Sequence, residues 1–165
     1  MPAAAGDDAA AEEFWTFSLD LYARPGIADA CLRLQDAYAL DVNLVLLCCW
    51  LGRRGCCLSA TELAVAEARA APLRTQILTP LRAVRRALKT MPLAGAAALY
   101  ARIKEVELAA EREEQRLLVA PWSRSPEPSS GEGRADAVNL TLYFTARGLA
   151  PEIGAELIKA LRTIS

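Results

Sequence analysis

Hydrophobic residues recur at helical spacing through most of the chain. In the first segment Phe14, Phe17 and Leu21 lie three or four residues apart, which is the spacing of one helix face. Pro25 and Gly26 end that segment, and the same spacing resumes after them. The pattern predicts an all-α protein, a compact single-domain bundle of about seven or eight helices.

One predicted helix, residues 42–51, is apolar on every side. Asn43 is the only residue in it that is not apolar. A helix without a polar face belongs in the middle of a fold, surrounded by other helices. Asp41 precedes it as a natural N-cap, and Gly52 follows it. We therefore expect a buried central helix near residues 42–51.

Prolines and a capping motif divide the middle of the chain. Ser59 and Glu62 have capping-box spacing and predict a helix that runs to about Ala70. Pro72 is expected to open the next helix, with a kink or a restart at Pro80. A long helix over 94–118 is expected to turn its charges outward and its apolar residues inward, namely Leu99, Ile103, Val106, Ala110 and Leu117.

The remaining segments set the predicted domain boundaries. Residues 1–10 are interpreted as a disordered tail, with the first helix beginning near Glu12 and a single helical domain over 11–165. The Pro/Ser/Gly-rich stretch 120–136 is interpreted as a loop. Two short helices, from Ala137 and from Pro151, are expected to complete the chain.

Composition narrows the class of protein. The 165 residues are 53% hydrophobic and 24% charged, which is typical of a folded globular domain. The longest apolar run, Leu44 to Leu51, is far too short to cross a bilayer, and the N-terminus lacks the features of a secretory signal. Five cysteines without a framework spacing suit a reducing compartment. We expect a cytoplasmic protein with free thiols and no membrane association.

Several common chemistries have no residues to carry them. The chain contains no histidine, which excludes Ser-His-Asp and Cys-His catalysis, and it has no Gly-rich phosphate-binding motif. The adjacent pairs Cys48-Cys49 and Cys56-Cys57 lack the usual spacing of zinc ligands, so small apolar core residues are the favoured interpretation. The sequence therefore favours a non-catalytic protein with no cofactor and no metal.

Short motifs near the N-terminus carry a family resemblance. They are FWTFSLDLY at 14–22, PGI at 25–27, LQD at 34–36, DVNL at 41–44 and WLG at 50–52. With these motifs the chain resembles a family of small bacterial proteins catalogued as domain of unknown function 2390. The likeness is sharpest over residues 14–55 and looser from Pro72 to Glu114. It implies a helical cytoplasmic protein and brings no catalytic residues with it.

Asn43 is the most informative single residue, because a buried amide without a partner costs about 1–3 kcal/mol. The favoured interpretation is a structural hydrogen bond, with Asn139 or Gln35 as the expected partner. The alternative is a polar ligand pocket formed by Asp36, Asp41 and Asn43. Carboxylates at 20, 36 and 41 would hold Mg²⁺ only if they converged, and cap or surface roles are favoured for them.

Charge is segregated along the chain. Residues 1–52 carry eight acidic and two basic side chains, a charge of −6, whereas residues 53–89 carry two acidic and eight basic ones, a charge of +6. One predicted helix face in the basic region consists of Arg82, Arg85, Arg86 and Lys89. Such a face suits nucleic-acid phosphates. Internal pairing is the favoured alternative, with the glutamates of the following helix, Glu105, Glu107, Glu111, Glu113 and Glu114.

These observations favour a protein-binding adaptor or accessory protein. One alternative is an RNA- or ribosome-associated factor that uses the basic face at 82–89. Another is a small-molecule-binding or enzymatic role around Asn43, which predicts a polar-lined cavity beside the central helix.

Overall fold

The computed structural model describes residues 5–122 and 135–162. Those residues form eight α-helices and no strand: α1 (Ala5–Tyr22), α2 (Ile27–Tyr38), α3 (Val42–Arg53), α4 (Ala60–Leu73), α5 (Thr79–Thr90), α6 (Ala96–Val119), α7 (Ala135–Ala146) and α8 (Ala155–Arg162). A π-helical segment, Arg74–Leu78, joins α4 to α5, and 3-10 turns occupy Ala120–Trp122 and Pro151–Gly154. The predicted all-α class is confirmed. None of the helices in these ranges is long and apolar enough to cross a membrane.

Helix α3 is the centre of the bundle, as its apolar sequence predicts. Every side chain from Asn43 to Leu51 is buried. Helices α1, α2, α6 and α7 all pack against it. The predicted cap is present, because the Asp41 carboxylate accepts a 2.8 Å hydrogen bond from the Asn43 N–H.

Helix α7 is the most extensive neighbour of α3 and runs antiparallel to it. The end of α3 meets the start of α7 at Gly52, where the backbone of Asp136 comes so close that no side chain fits. At the other end of the pair, the N–H of Asp41 donates a 3.0 Å hydrogen bond to the Tyr143 hydroxyl. The small residue at 52 therefore sets the distance between the two helices.

A buried amide on α7 also fixes the turn that follows α3. Asn139 accepts from the Leu58 N–H at 2.7 Å and donates to the carbonyls of Cys48 at 3.2 Å and Cys56 at 2.9 Å. This side chain is fully buried and its amide is bonded on both sides. It is therefore occupied locally and does not reach Asn43.

The segment from α4 to α5 differs from its prediction. The Ser59–Glu62 capping box is present, but Pro72 lies inside α4 and does not open a new helix. Ala68 and Pro72 are both exposed, so water can reach the carbonyl that the missing proline N–H leaves free. Pro80 lies in the first turn of α5, directly after the π-helical segment, which agrees with the predicted restart.

The chain ends also differ from the prediction. Helix α1 begins at Ala5, so the predicted tail is wrong for residues 5–10, where alanines favour a helix and Ala10 packs against the core. Residues 1–4 lie outside the described residues. Within the predicted loop at 120–136, residues 120–122 form a 3-10 turn and 135–136 belong to α7. Positions 123–134 lie outside the described part of the chain.

The orientation of α6 is the largest correction. Leu99 and Val106, expected inside, are 46% and 52% exposed, whereas the charged or polar side chains of Glu107, Glu114 and Gln115 are buried. Glu114 pairs with Arg74 of the π-helical segment and Glu107 with Arg85 of α5, whereas Gln115 bonds Asn43. The charges of α6 are therefore used inside the bundle.

Substituting Gly52→Ala tests the close packing of α3 on α7. The new Cβ would overlap the backbone N and Cα of Asp136, and backbone atoms cannot move aside as a flexible side chain can. We expect the free energy of unfolding to fall by at least about 2 kcal/mol, even though alanine is the better helix former. Urea denaturation of the full chain measures the change.

The matched control is Gly95→Ala, at the start of α6, where a Cβ meets nothing within 4 Å and φ is −85°. That variant should be as stable as the wild type or slightly more stable. Equal stability of the two variants would refute the packing argument.

Candidate functional site

Five polar side chains meet inside the bundle and form what we call the polar centre: Asp41, Asn43, Arg74, Glu114 and Gln115. Asn43 donates a 2.6 Å hydrogen bond to Glu114 Oε2 and accepts one of 2.9 Å from Gln115 Nε2. The expected partners, Asn139 and Gln35, are therefore wrong. Sequence reasoning missed Glu114 and Gln115 because it turned the charges of α6 outward.

Arg74 joins the two carboxylates of the centre. Its Nε lies 2.8 Å from Glu114 Oε1 and also contacts Asp41 Oδ2. The residue is the first of the π-helical segment, and π turns inside α-helices recur at functional sites. No acceptor among the described residues bonds its buried Nη2 atom.

Burial has a large effect on Glu114, which is 0% exposed. Desolvation and the neighbouring Asp41 raise the pKa of this carboxyl to about 7, and together they outweigh the Asn43 hydrogen bond and Arg74. Desolvation lowers the pKa of Arg74, but Asp41 and Glu114 outweigh it, so that pKa is raised. The polar centre thus holds a carboxyl that exchanges its proton near neutral pH beside a permanently charged guanidinium.

The predicted basic face divides into two parts. Arg85 donates to Glu107 through Nε at 2.5 Å and through Nη2 at 3.1 Å, and Arg82 bonds Glu111 at 2.9 Å. These pairs cross the antiparallel α5–α6 hairpin, so Glu107 and Glu111 provide the internal pairing that the sequence favours. Arg86 and Lys89 are exposed and form no ion pair with any described residue. The four residues therefore do not form one free basic face.

A pocket beside Asn43 lies between α1, α2, α3 and the α5–α6 hairpin. We call it the α1–α6 pocket; it encloses about 230 Å³. Its walls are mainly apolar, from Trp15, Leu19, Leu32, Leu46 and Leu108. Polar side chains also line it, including Ser18, Asn43 and Gln115. Ser18 Oγ and Gln115 Oε1 are buried and find no hydrogen-bond partner in the described parts of the chain.

The other predicted pocket residues do not join Asn43 in this cavity. Asp41 lines a separate pocket together with four arginines. Asp36 is exposed and lines a cleft that Leu157 of α8 also borders. The predicted trio of Asp36, Asp41 and Asn43 is therefore not one pocket. No cluster of three or more potential His, Cys, Asp or Glu ligands occurs within 5–122 and 135–162.

The cysteines are placed as small apolar residues. Cys31, Cys48, Cys49 and Cys56 are buried free thiols, and Cys57 is exposed. Burial raises the pKa of the Cys31 thiol to about 12, which keeps it protonated at neutral pH. Burial raises the pKa of Cys48 and Cys49 in the same direction, so none of these three buried cysteines supplies an activated thiolate.

The α5–α6 hairpin exposes an apolar surface on the side away from the pocket. Val84 directly precedes Arg85 in the sequence and Val106 directly precedes Glu107, and Arg85 and Glu107 form an ion pair between the two helices. In antiparallel helices, residues one position before a facing pair lie on the same side of the hairpin. We call this set the hairpin surface: Ile77, Val84, Met91, Leu93, Leu99 and Val106, all 44–52% exposed.

Comparison with known proteins identifies a family without an assigned activity. Residues 13–118 match the family described as "Protein of unknown function (DUF2390)", and the chain belongs to it. This confirms the resemblance seen in the sequence. No curated protein and no solved structure matches the chain. The matched range contains all five residues of the polar centre, whereas α7 lies beyond it.

The pKa of Glu114 has a consequence for stability. Because its folded pKa, about 7, exceeds the ordinary glutamate pKa of 4.5, folding favours the protonated form. The contribution of this group is complete below about pH 4.5 and is lost as the pH rises through 7. We expect Glu114→Gln to remove a decline of about 1–3 kcal/mol in the free energy of unfolding between pH 5 and 8.

Denaturation at several pH values, with ¹³C NMR titration of the glutamate carboxyls, measures both effects. Glu113→Gln is the control, since Glu113 is exposed and, among the described residues, forms an ion pair only with Arg116 on its own helix. Stability curves for Glu114→Gln that run parallel to the wild type would contradict the assignment, as would the absence of a carboxyl that titrates near pH 7.

Proposed function

We propose that this member of the DUF2390 family is a cytoplasmic, non-catalytic adaptor that binds another protein through the hairpin surface. The observation that carries the proposal is that no residue of α5 is fully buried although its sequence is strongly amphipathic. An amphipathic helix is stabilised in water mainly by burying its apolar stripe. The exposed apolar stripe of α5 is therefore available for contact with another protein.

The shape of the surface indicates the kind of partner. Leu81 and Leu88 of α5 and Ile103 of α6 are half-buried and lie on the same side as Val84 and Val106. Because they lie beside the hairpin surface, we expect a shallow apolar groove between the two antiparallel helices. A groove of this kind suits the apolar face of one further helix, which would complete a three-helix arrangement.

Charge has a smaller role than the sequence suggests. Arg82 and Arg85 are held by Glu107 and Glu111 and are not free to steer a partner. Arg86 follows Arg85 by one position and therefore lies on the opposite side of the hairpin from Val84. The adaptor proposal thus rests on apolar contact.

Paired substitutions of exposed valines test the docking surface. Val84→Ser with Val106→Ser removes two groove contacts at positions 46% and 52% exposed. Affinity purification with wild-type and variant bait should show loss of a protein partner by about tenfold, because two methyl-rich contacts disappear from the interface. The partner should survive nuclease treatment.

Val65→Ser with Val138→Ser is the matched control, since those valines are 43% and 52% exposed on α4 and α7. The control bait should recover the same partner as the wild type. Equal recovery by both variants would refute docking through the hairpin surface. Partners that vanish with nuclease would support the RNA-associated alternative.

A second candidate function is the binding of a small molecule in the α1–α6 pocket. An apolar cavity that also holds a few convergent polar groups is the usual form of a ligand site. Here Ser18 Oγ and Gln115 Oε1 lack partners in the described residues, and the apolar walls suit a compact ligand with one polar end. An enzymatic role would add Glu114 as a proton donor or acceptor next to Asn43.

Two leucines on α6 distinguish the two functions. Leu108 lines the pocket and is 49% exposed, whereas Leu99 belongs to the hairpin surface and is 46% exposed. In an NMR screen of small-molecule fragments, we expect ligands that shift the amide signals of Ser18 and Asn43. Leu108→Gln should weaken the binding of these ligands about fivefold, because an apolar contact with the pocket wall is lost.

Leu99→Gln should bind these fragments as the wild type does. Fragments that bind both variants with equal affinity would refute the pocket, as would a screen in which the signals of Ser18 and Asn43 do not move. Loss of the protein partner in Leu99→Gln alone would leave the adaptor proposal in place.

A further inference from the structure

Four arginines line one pocket, which we call the arginine pocket. It encloses about 320 Å³ and lies next to the polar centre. Arg74 comes from the π-helical segment, Arg82 and Arg86 come from α5, and Arg147 follows directly after α7. Asp41 is the single carboxylate in its lining. Residues distant in sequence thus place four guanidinium groups around one cavity.

Two of these guanidinium groups have donors to spare. The Nη2 atom of Arg74 is buried and has no acceptor among the described residues. Arg86 forms no ion pair within the same part of the chain and is exposed at the pocket. A guanidinium group carries five N–H donors and no acceptor, so the unused donors call for oxygen atoms from elsewhere.

The other two arginines are held in place from outside the pocket. Glu111 bonds Arg82 at 2.9 Å, and Glu67 bonds Arg147 at 2.6 Å. Neither glutamate lines the pocket. Each pairing therefore fixes a guanidinium without filling the cavity, which lowers the conformational entropy lost when an anion binds.

We propose that the arginine pocket binds a phosphate group, either inorganic phosphate or the phosphoryl group of a small metabolite. A phosphate offers more acceptor oxygens than a carboxylate and matches the fork of arginine donors. The Gln35 amide and the Thr79 hydroxyl also line the cavity and supply neutral donors. The volume leaves room for part of a metabolite beyond the phosphate.

Arg86 supplies a charge that no carboxylate in the described ranges offsets. Arg74 shares its charge with Asp41 and Glu114, and Arg82 and Arg147 share theirs with glutamates. Arg86 is thus the sharpest residue to remove, and its exposure means that Arg86→Gln leaves no buried partner unsatisfied. Lys89, on the same helix, is exposed and does not line the pocket, so Lys89→Gln removes an equal charge nearby.

The convergence of four arginines on one cavity favours one phosphate group over a nucleic-acid backbone. An RNA strand would contact exposed cations along α5, Arg86 and Lys89 alike, and would depend on both. A single phosphate in the pocket depends on Arg86 and not on Lys89. The two variants therefore separate the two kinds of ligand.

The test is an NMR titration of the full chain that follows the arginine Nε–Hε signals at constant ionic strength. One arm adds sodium phosphate, a second adds glycerol 3-phosphate, and a third adds a short single-stranded RNA. We expect saturable shifts at Arg74 and Arg86 in the first two arms. Arg86→Gln should raise the dissociation constant about tenfold and Lys89→Gln by less than about twofold. Of these two side chains, only Arg86 lines the pocket and can form a charge-assisted hydrogen bond with the phosphate.

Either source of phosphate supports the proposal, and the ratio of the two affinities says which one the pocket prefers. Absence of saturation below about 10 mM in both phosphate arms would overturn it. Equal weakening by the two variants would also overturn it. RNA binding that depends equally on Arg86 and Lys89, without a saturable phosphate site, would assign the surface to nucleic acid.

Discussion

Helix α3 has no side that suits water, yet its first turn contains an asparagine that the surrounding helices bury. Asp41 and Asn43 are both buried and must find hydrogen-bond partners inside the bundle, because a buried polar group without a partner lowers the free energy of unfolding by about 1–3 kcal/mol. Glu114 and Gln115 from α6 satisfy the amide, and Arg74 balances the two carboxylates. The orientation of α6 and the position of the π-helical segment both follow from this requirement.

Once α6 is turned so that Glu114 reaches Asn43, its earlier turns have little freedom. Glu107 lies two turns before Glu114 and points to the same side, where Arg85 meets it at 2.5 Å. The hairpin is therefore joined by ion pairs along its inner face, and Val84, Leu99 and Val106 are left outside. An interface of charges inside and apolar residues outside reverses the usual arrangement of a surface hairpin. The exposure of these apolar residues is thus a consequence of the polar centre.

The sequence predicts the parts of this protein that depend on local pattern. The buried helix at 42–51, the Asp41 cap and the Ser59–Glu62 capping box are all confirmed, because a short window contains their whole cause. The partner of Asn43 and the orientation of α6 depend on which helices meet, and amphipathicity alone gave the wrong face for Leu99 and Val106. The charged face of α6 is as regular as its apolar face, so the sequence of α6 alone allows either face to be buried. The arginines of α5 and of the π-helical segment determine that the charged face is buried.

Stability alone does not account for the polar centre. A buried cluster of charges is often no more stable than apolar residues of similar volume, since desolvation offsets most of the Coulomb attraction. What the cluster supplies is position, because Arg74 is held at the wall of one pocket and Asn43 and Gln115 at the wall of another. Gln35 and Arg82 line both cavities, so a ligand that moves either side chain in one changes the shape of the other. The buried carboxylate of Glu114 bonds Asn43, which lines one cavity, and Arg74, which lines the other, so it connects the two.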